Sequence, residues 1–185
     1  SVMEWSHRSP EYDAVRGEVQ ERLFRLLGLE GDHGFRLLLL QGGASLQFAM
    51  VPMNLGRGRK GAYVLTGAWA KKALAEAARI GLGEEAWSGA ETNFNRLPAE
   101  GEWDEPEACA YVHLTSNNTI FGTQYKQLPR TEAPLVIDMS SDILSGPIDM
   151  DRVGLIYAGA QKNLGPAGVT VVLVREDLLG EAPDG

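Results

Sequence analysis

Apolar and polar positions change their period several times along this chain. In residues 10–28, Val15, Val19, Leu23, Leu26 and Leu27 recur at helical spacing. That predicts an amphipathic helix, with Ser9 and Pro10 at its start and Gly28 as its stop. Residues 35–40 are a short apolar run of strand length, and residues 46–55 are apolar at helix length. A second strand is predicted over 62–66 and a helix over 70–80. The pattern weakens over 82–107, where Pro98, Pro106 and scattered aromatics predict short strands and turns. From Cys109 the alternation resumes, with apolar strands over 110–114, 134–137, 153–157 and 169–174.

Apolar strands alternating with helices imply a parallel sheet covered on both faces. The last link, from Tyr157 to Val169, is too short for a helical crossover. Strand 169–174 is therefore expected to return antiparallel. The predicted fold class is a three-layer α/β/α arrangement, with a mainly parallel sheet and one antiparallel strand.

Chemistry concentrates in the turns after these strands. Lys162 lies in Tyr157-Ala158-Gly159-Ala160-Gln161-Lys162-Asn163-Leu164-Gly165-Pro166, a glycine- and proline-containing connection between two buried strands. A lysine that forms an imine with a carbonyl cofactor needs such a setting. A rigid turn fixes the amine, and apolar walls lower its pKa. A surface lysine in a strand connection is the plainer alternative. Asp138 ends the run 134–137, at the carboxyl end of a strand, where open α/β sheets bind ligands. A carboxylate there either keeps a pyridine nitrogen protonated, as pyridoxal phosphate requires, or caps the turn through Ser140, Ser141 and Asp142.

Strand 35–40 runs into Gln41-Gly42-Gly43-Ala44-Ser45 and then a helix, which aims backbone N–H groups at a phosphate. It is neither a dinucleotide fingerprint nor a Walker loop. Trp69, at the corner before helix 70–80, stacks on a flat ring or packs in the core. Thr119 follows strand 110–114 and either contacts the cofactor or closes a turn.

Other polar residues have plainer readings. His33 is expected in a solvated turn and His113 in the core. Cys109, Met50, Met53, Met139 and Met150 are expected to pack. No His/Cys/Asp cluster has metal-ligand spacing.

Several strings together resemble the phosphoserine aminotransferase family, class V, fold type I pyridoxal-phosphate enzymes. They are Ser6-His7-Arg8-Ser9, Gln41-Gly42-Gly43-Ala44-Ser45-Leu46-Gln47-Phe48-Ala49, Thr115-Ser116-Asn117-Asn118-Thr119-Ile120, Asp138-Met139-Ser140-Ser141-Asp142-Ile143-Leu144-Ser145 and Tyr157-Ala158-Gly159-Ala160-Gln161-Lys162-Asn163. The resemblance runs along nearly the whole chain in order. It implies that Lys162 carries the cofactor as an imine and that Asp138 meets the pyridine nitrogen. Ala44, Ser45 and Gln161 would contact the phosphate, while Trp69 and Thr119 would contact the ring. His7 and Arg8 would bind the substrate anion of the neighbouring subunit's site in a homodimer.

The implied reaction moves an amino group between L-glutamate and 3-phosphohydroxypyruvate, giving O-phospho-L-serine and 2-oxoglutarate. Gly146 stands where many relatives carry arginine. Members of the family run to roughly twice this length. Residues 1–185 are thus expected to be the cofactor-binding large domain, without the family's N-terminal segment and C-terminal small domain. A non-catalytic cofactor-binding or dimerisation fragment is the alternative. Another class V chemistry is a further one, although desulfurases need a mobile cysteine and Cys109 is badly placed.

Composition narrows the classes further. At 185 residues the chain supports one sizeable core, and 44% hydrophobic with 23% charged residues is ordinary for a globular protein. A net charge of −8 without a basic stripe argues against nucleic acid. No apolar run is long enough to span a bilayer. One cysteine excludes an internal disulfide and fits a reducing, cytoplasmic setting.

Overall fold

The structure is a computed structural model and describes residues 2–180. It forms two compact units, divided between His33 and Gly34.

The first unit holds a 3-10 turn, Val2–Glu4, and helix α1, Pro10–Leu26. Ser9 caps α1, its Oγ accepting from the Tyr12 N–H at 3.2 Å, and Pro10 takes the first turn where no N–H is needed. Gly28 ends it at φ +71°, a left-handed backbone that glycine adopts without strain. The predicted apolar face is rotated. Leu23, Phe24 and Leu27 are buried, whereas Leu26 is 63% exposed. His33 is not solvated as expected, because its ring packs on Phe24 with centroids 4.2 Å apart.

The second unit is built on seven strands: β1 Phe35–Leu40, β2 Gly61–Leu65, β3 Gly83–Ser88, β4 Val112–Thr115, β7 Leu135–Asp138, β8 Val153–Gly159 and β9 Thr170–Arg175. Between β4 and β7 lies a two-stranded ribbon, β5 Asn117–Asn118 and β6 Thr123–Gln124. The sheet order is β1-β9-β8-β7-β4-β2-β3. Strand β9 is antiparallel to β1 and β8, and the other pairs are parallel. The expected single antiparallel strand is therefore present.

Helices α2, Gly43–Leu55, and α3, Ala68–Arg79, cover one face of the sheet. Phe48, Val51 and Leu55 of α2 and Ala70, Ala73 and Ala77 of α3 pack on Tyr63, Tyr111, Val136, Leu155, Tyr157 and Val172. Small alanines let α3 lie close to the sheet, while the aromatic rings fill the wider space under α2. Leu114, Leu135, Ile137, Ile156 and Leu173 are completely buried as well. Truncating one of these to alanine costs about 2–5 kcal/mol.

The helices expected between the later strands do not form among the described residues. The segments 119–134 and 139–152 are turns and the ribbon. Pro129, Pro134 and Pro147 interrupt any helical run there. Side chains satisfy the backbone instead. Glu105 accepts from the N–H groups of Glu132 and Ala133 at 2.8 and 2.7 Å, and Ser116 Oγ donates to the Asp138 carbonyl at 3.0 Å.

Candidate active site

The topology sets the site. Leu40 at the end of β1 and Gly159 at the end of β8 both pair with Thr170 at the start of β9. Asp138, ending β7, is the partner of Tyr157 on β8 and of Thr115 on β4. Neighbouring strands lie about 4.8 Å apart, so the turns after β1, β8, β7 and β4 open on one edge of the sheet.

Lys162 occupies a tight turn after β8. The N–H groups of Leu164 and Gly165 both donate to the Ala160 carbonyl, at 3.2 and 2.9 Å. Asn163 Nδ2 donates to the Ile143 carbonyl at 2.6 Å, pinning the turn to the segment after β7. The lysine is exposed rather than enclosed by the expected apolar walls. Its Nζ lies over the Trp69 ring, 4.8 Å from the indole centre. Lys72 Nζ lies 4.5 Å from the same centre. Trp69 Nε1 is buried and has no hydrogen-bond partner among the described residues.

Asp138 is only 6% exposed. Its Oδ1 accepts from both the N–H and the hydroxyl of Ser140, at 3.0 and 2.7 Å. Ser140 Oγ in turn accepts from the Gly159 N–H at 3.1 Å, tying the end of β7 to the end of β8. The two sequence readings of Asp138 are compatible. Oδ1 caps the turn, and Oδ2 accepts from no donor among the described residues. Burial holds the carboxyl above the usual carboxylate range. The Ser140 bonds and the charge of Lys162 pull it back, and Asp142 pushes it up. A cationic nitrogen beside Oδ2 would restore a stable carboxylate.

On the helix-covered face next to Asp138, the Tyr157 hydroxyl bonds His113 Nε2 at 2.8 Å. Tyr63 stacks on the His113 ring at 4.8 Å. His113 is a core residue as expected, although its Nδ1 has no side-chain partner among the described residues. Complete burial pushes its pKa down to about 3, so the ring is neutral.

The glycine pair before α2 has the conformation the phosphate reading requires. Gly42 and Gly43 are left-handed, at φ +93° and +67°. A Cβ on Gly42 would come within 2.4 Å of Leu46 Cδ2. No side chain caps α2, so its first N–H groups are open to an anion. Ala44, half-buried, and Ser45, exposed, lie in that first turn.

The remaining predicted residues are placed with fewer constraints. Thr119 is exposed in the turn of the β5–β6 ribbon. Asn118 ties that ribbon to the start of α3, its Nδ2 donating to Thr66 Oγ1 at 3.0 Å and to Thr123 Oγ1 at 3.1 Å. Gln161 is exposed beside Lys162, and its Oε1 would lie 2.7 Å from a Cβ on Gly159. His7 and Arg8 are exposed in the first unit, ahead of α1.

Sequence reasoning did not assign Ser140, Lys72 or Asn118 to the site. Ser140 had a signal, since a serine two residues after a strand-ending Asp suits an Asx turn. Lys72 had none beyond its helical spacing from Trp69.

Comparison with known proteins agrees with this geometry. The family model described as "Aminotransferase class-V" matches residues 11–184. This chain belongs to the class-V aminotransferase family. It is 59% identical over 186 residues to a phosphoserine aminotransferase from Geobacillus kaustophilus (strain HTA426), covering 100% of this chain and 51% of that protein. The class-V chain also superposes on the phosphoserine aminotransferase of Bacillus circulans subsp. alkalophilus, with TM-score 0.93 and 54% identity, over 99% of this chain and 51% of that one. A PLP-bound phosphoserine aminotransferase from Trichomonas vaginalis gives TM-score 0.91 at 40% identity, over 100% and 55%. The chain spans about half the length of the curated relatives it matches.

Proposed function

We propose that residues 1–185 are the cofactor-binding large domain of a phosphoserine aminotransferase. The whole protein would exchange the amino group between L-glutamate and 3-phosphohydroxypyruvate, giving O-phospho-L-serine and 2-oxoglutarate. The observation that carries this reading is the convergence of Lys162, Trp69 and buried Asp138 beside an uncapped, glycine-led helix start. Similarity to phosphoserine aminotransferases at 50–59% identity supports the substrate assignment.

The residues fit pyridoxal phosphate. An exposed amine, a flat aromatic face, a buried carboxylate with one oxygen lacking a donor and a free helix N-terminus match its aldehyde, ring, ring nitrogen and phosphate. When bound, it supplies an electron sink that stabilises negative charge at the substrate Cα. Lys162 Nζ would hold it, and then take the proton leaving the substrate Cα. Asp138 would keep the ring nitrogen protonated, with Ser140 fixing the carboxylate plane. The α2 N–H groups with Ala44, Ser45 and Gln161 would hold the phosphate. Trp69 would cover one ring face, and Thr119 would contact the ring edge.

His7 and Arg8 would bind the substrate's anionic group, Arg8 through two parallel hydrogen bonds. They would serve the partner's site in a cytoplasmic homodimer. The test is the reverse reaction of the whole protein. O-phosphoserine with 2-oxoglutarate should yield glutamate, and phosphate-free serine should react far more slowly. Equal rates on the two amino donors would refute the substrate assignment.

A further inference from the structure

Thr115 ends β4 beside Asp138, its register partner at the end of β7. Side chains alternate along a strand, so Thr115 shares a face with His113, and Asp138 shares one with Val136. Both are the face that α2 and α3 cover, because Val136 packs with those helices and His113 stacks on Tyr63, which does the same. Tyr157, the neighbour of Asp138 on its other side, belongs to that face too. A threonine and a tyrosine therefore flank the carboxyl group in one row across three strands.

The tyrosine hydroxyl is engaged by His113. The threonine hydroxyl is not engaged. Thr115 is 3% exposed, and its Oγ1 is buried with no hydrogen-bond partner among the described residues. Such a hydroxyl costs free energy that valine, of the same shape and equally suited to a strand, would avoid. The hydroxyls of Tyr125 and Thr170 share this condition, but neither residue is paired with a carboxylate in the sheet. Beside Thr115, Asp138 Oδ2 is an acceptor without a donor among the described residues. Neighbouring strands lie about 4.8 Å apart, so rotation of Thr115 between staggered positions brings its hydroxyl within reach of that oxygen.

We propose that Thr115 is a positioning residue for Asp138, its hydroxyl donating to Oδ2 in the cofactor-loaded protein and holding the carboxylate toward the ring nitrogen. The proposal rests on the reading of Asp138 as the partner of that nitrogen. An ionised carboxylate accepts at about four positions, so Oδ2 can take the Thr115 hydroxyl and the ring N–H together. Hydrogen bonds to the charged form favour it, which offsets the burial that holds Asp138 above the usual carboxylate range.

The test uses the whole protein stripped of cofactor, as wild type, Thr115→Val and Thr115→Ser. The probes are pyridoxal phosphate and its carbocyclic analogue, in which C–H replaces the ring nitrogen. Without cofactor, Thr115→Val should melt no lower than the wild type, because the hydroxyl it loses has no partner. In fluorescence titrations it should bind pyridoxal phosphate about tenfold more weakly, as expected for losing a charge-assisted hydrogen bond, and bind the analogue as the wild type does. Thr115→Ser should restore the affinity for pyridoxal phosphate. Lower melting of cofactor-free Thr115→Val, full affinity in that variant, equal weakening toward both ligands, or no recovery in Thr115→Ser overturns the proposal. A wild type that does not prefer pyridoxal phosphate to the analogue removes Asp138 from the ring nitrogen, and the proposal falls with that reading.

Discussion

Lys162 Nζ stands 4.8 Å from the centre of the Trp69 indole, although 93 positions separate the two residues in the chain. The contact joins the turn after β8 to the first turn of α3. An ammonium over an indole face gains about 0.5–1 kcal/mol at an exposed site, so a flat cofactor ring can replace it readily. Pyridoxal phosphate binding should therefore quench Trp69. Among the four tryptophans of this chain, Trp69→Phe should remove most of the emission change seen on titrating the cofactor-free protein. A full-sized change in the variant would place the ring elsewhere.

Asp138 should trade stability for function. Its folded pKa is raised, so its stabilising contribution is present below the unfolded value, near 3.8, and is lost as pH rises through the folded value. In the cofactor-free protein this buried carboxyl has only Ser140 as donor among the described residues. Asp138→Asn keeps the Ser140 bonds and removes the charge. The cofactor-free variant should melt no lower than the wild type at pH 7. Its turnover when loaded should fall roughly ten- to hundredfold, the worth of a charge-assisted bond spent in the transition state. Melting curves and steady-state rates check both halves.

Ser140→Ala tests the strap between β7 and β8. It removes a donor from Asp138 Oδ1 and leaves the Gly159 N–H without its acceptor. A loss of about 1–3 kcal/mol is expected in denaturant unfolding. Ser140→Thr, which keeps the hydroxyl, should recover most of it. Equal loss in both variants would mean that the site is merely sensitive to volume.

His113 gives the fold an acid-sensitive element. Its pKa falls from 6.5 to about 3 on burial, so its stabilising contribution is present above 6.5 and is lost as pH falls through that window. Between pH 6.5 and pH 5 the loss is about 2 kcal/mol. His113→Phe, whatever its stability at pH 8, should show a shallower decline over that range. Parallel pH profiles for the two proteins would remove His113 as the cause.

Much of this architecture was legible in the sequence because buried parallel strands are continuous apolar runs. Val153–Gly159 and Leu135–Asp138 have no exposed position to confuse the pattern. The short link to β9 gave away its direction. The face of α1 was misread because Leu26 and Phe24 lie two positions apart on a helix with a weak apolar stripe, and composition alone did not choose between them. Segments 119–134 and 139–152 were misread because a parallel sheet ordinarily returns by helix. Here hydrogen bonds accepted by Glu105 and Asp142 and donated by Ser116 replace the helix ladder, and such long-range pairs leave no periodic trace. The placement of Asp138 at the end of β7 and of Lys162 in the turn after β8 was legible from the apolar runs before them. Ser140 and Lys72 depend on which strands are neighbours and on rotamers, which no local pattern records.

The account stands on Lys162 as the lysine that holds the cofactor, and the structure supplies a real competitor. Lys72 Nζ is 4.5 Å from the Trp69 centre, as close as Lys162. Lys72 is in the middle of a helix, however, whereas Lys162 is on a turn pinned by Asn163 and electrostatically coupled to Asp138. Borohydride reduction of the cofactor-loaded whole protein, followed by proteolysis and mass spectrometry, distinguishes them. The pyridoxyl mass should appear on the peptide at Lys162 and vanish in Lys162→Ala. A tag on Lys72, or a tag that survives in Lys162→Ala, would contradict the assignment.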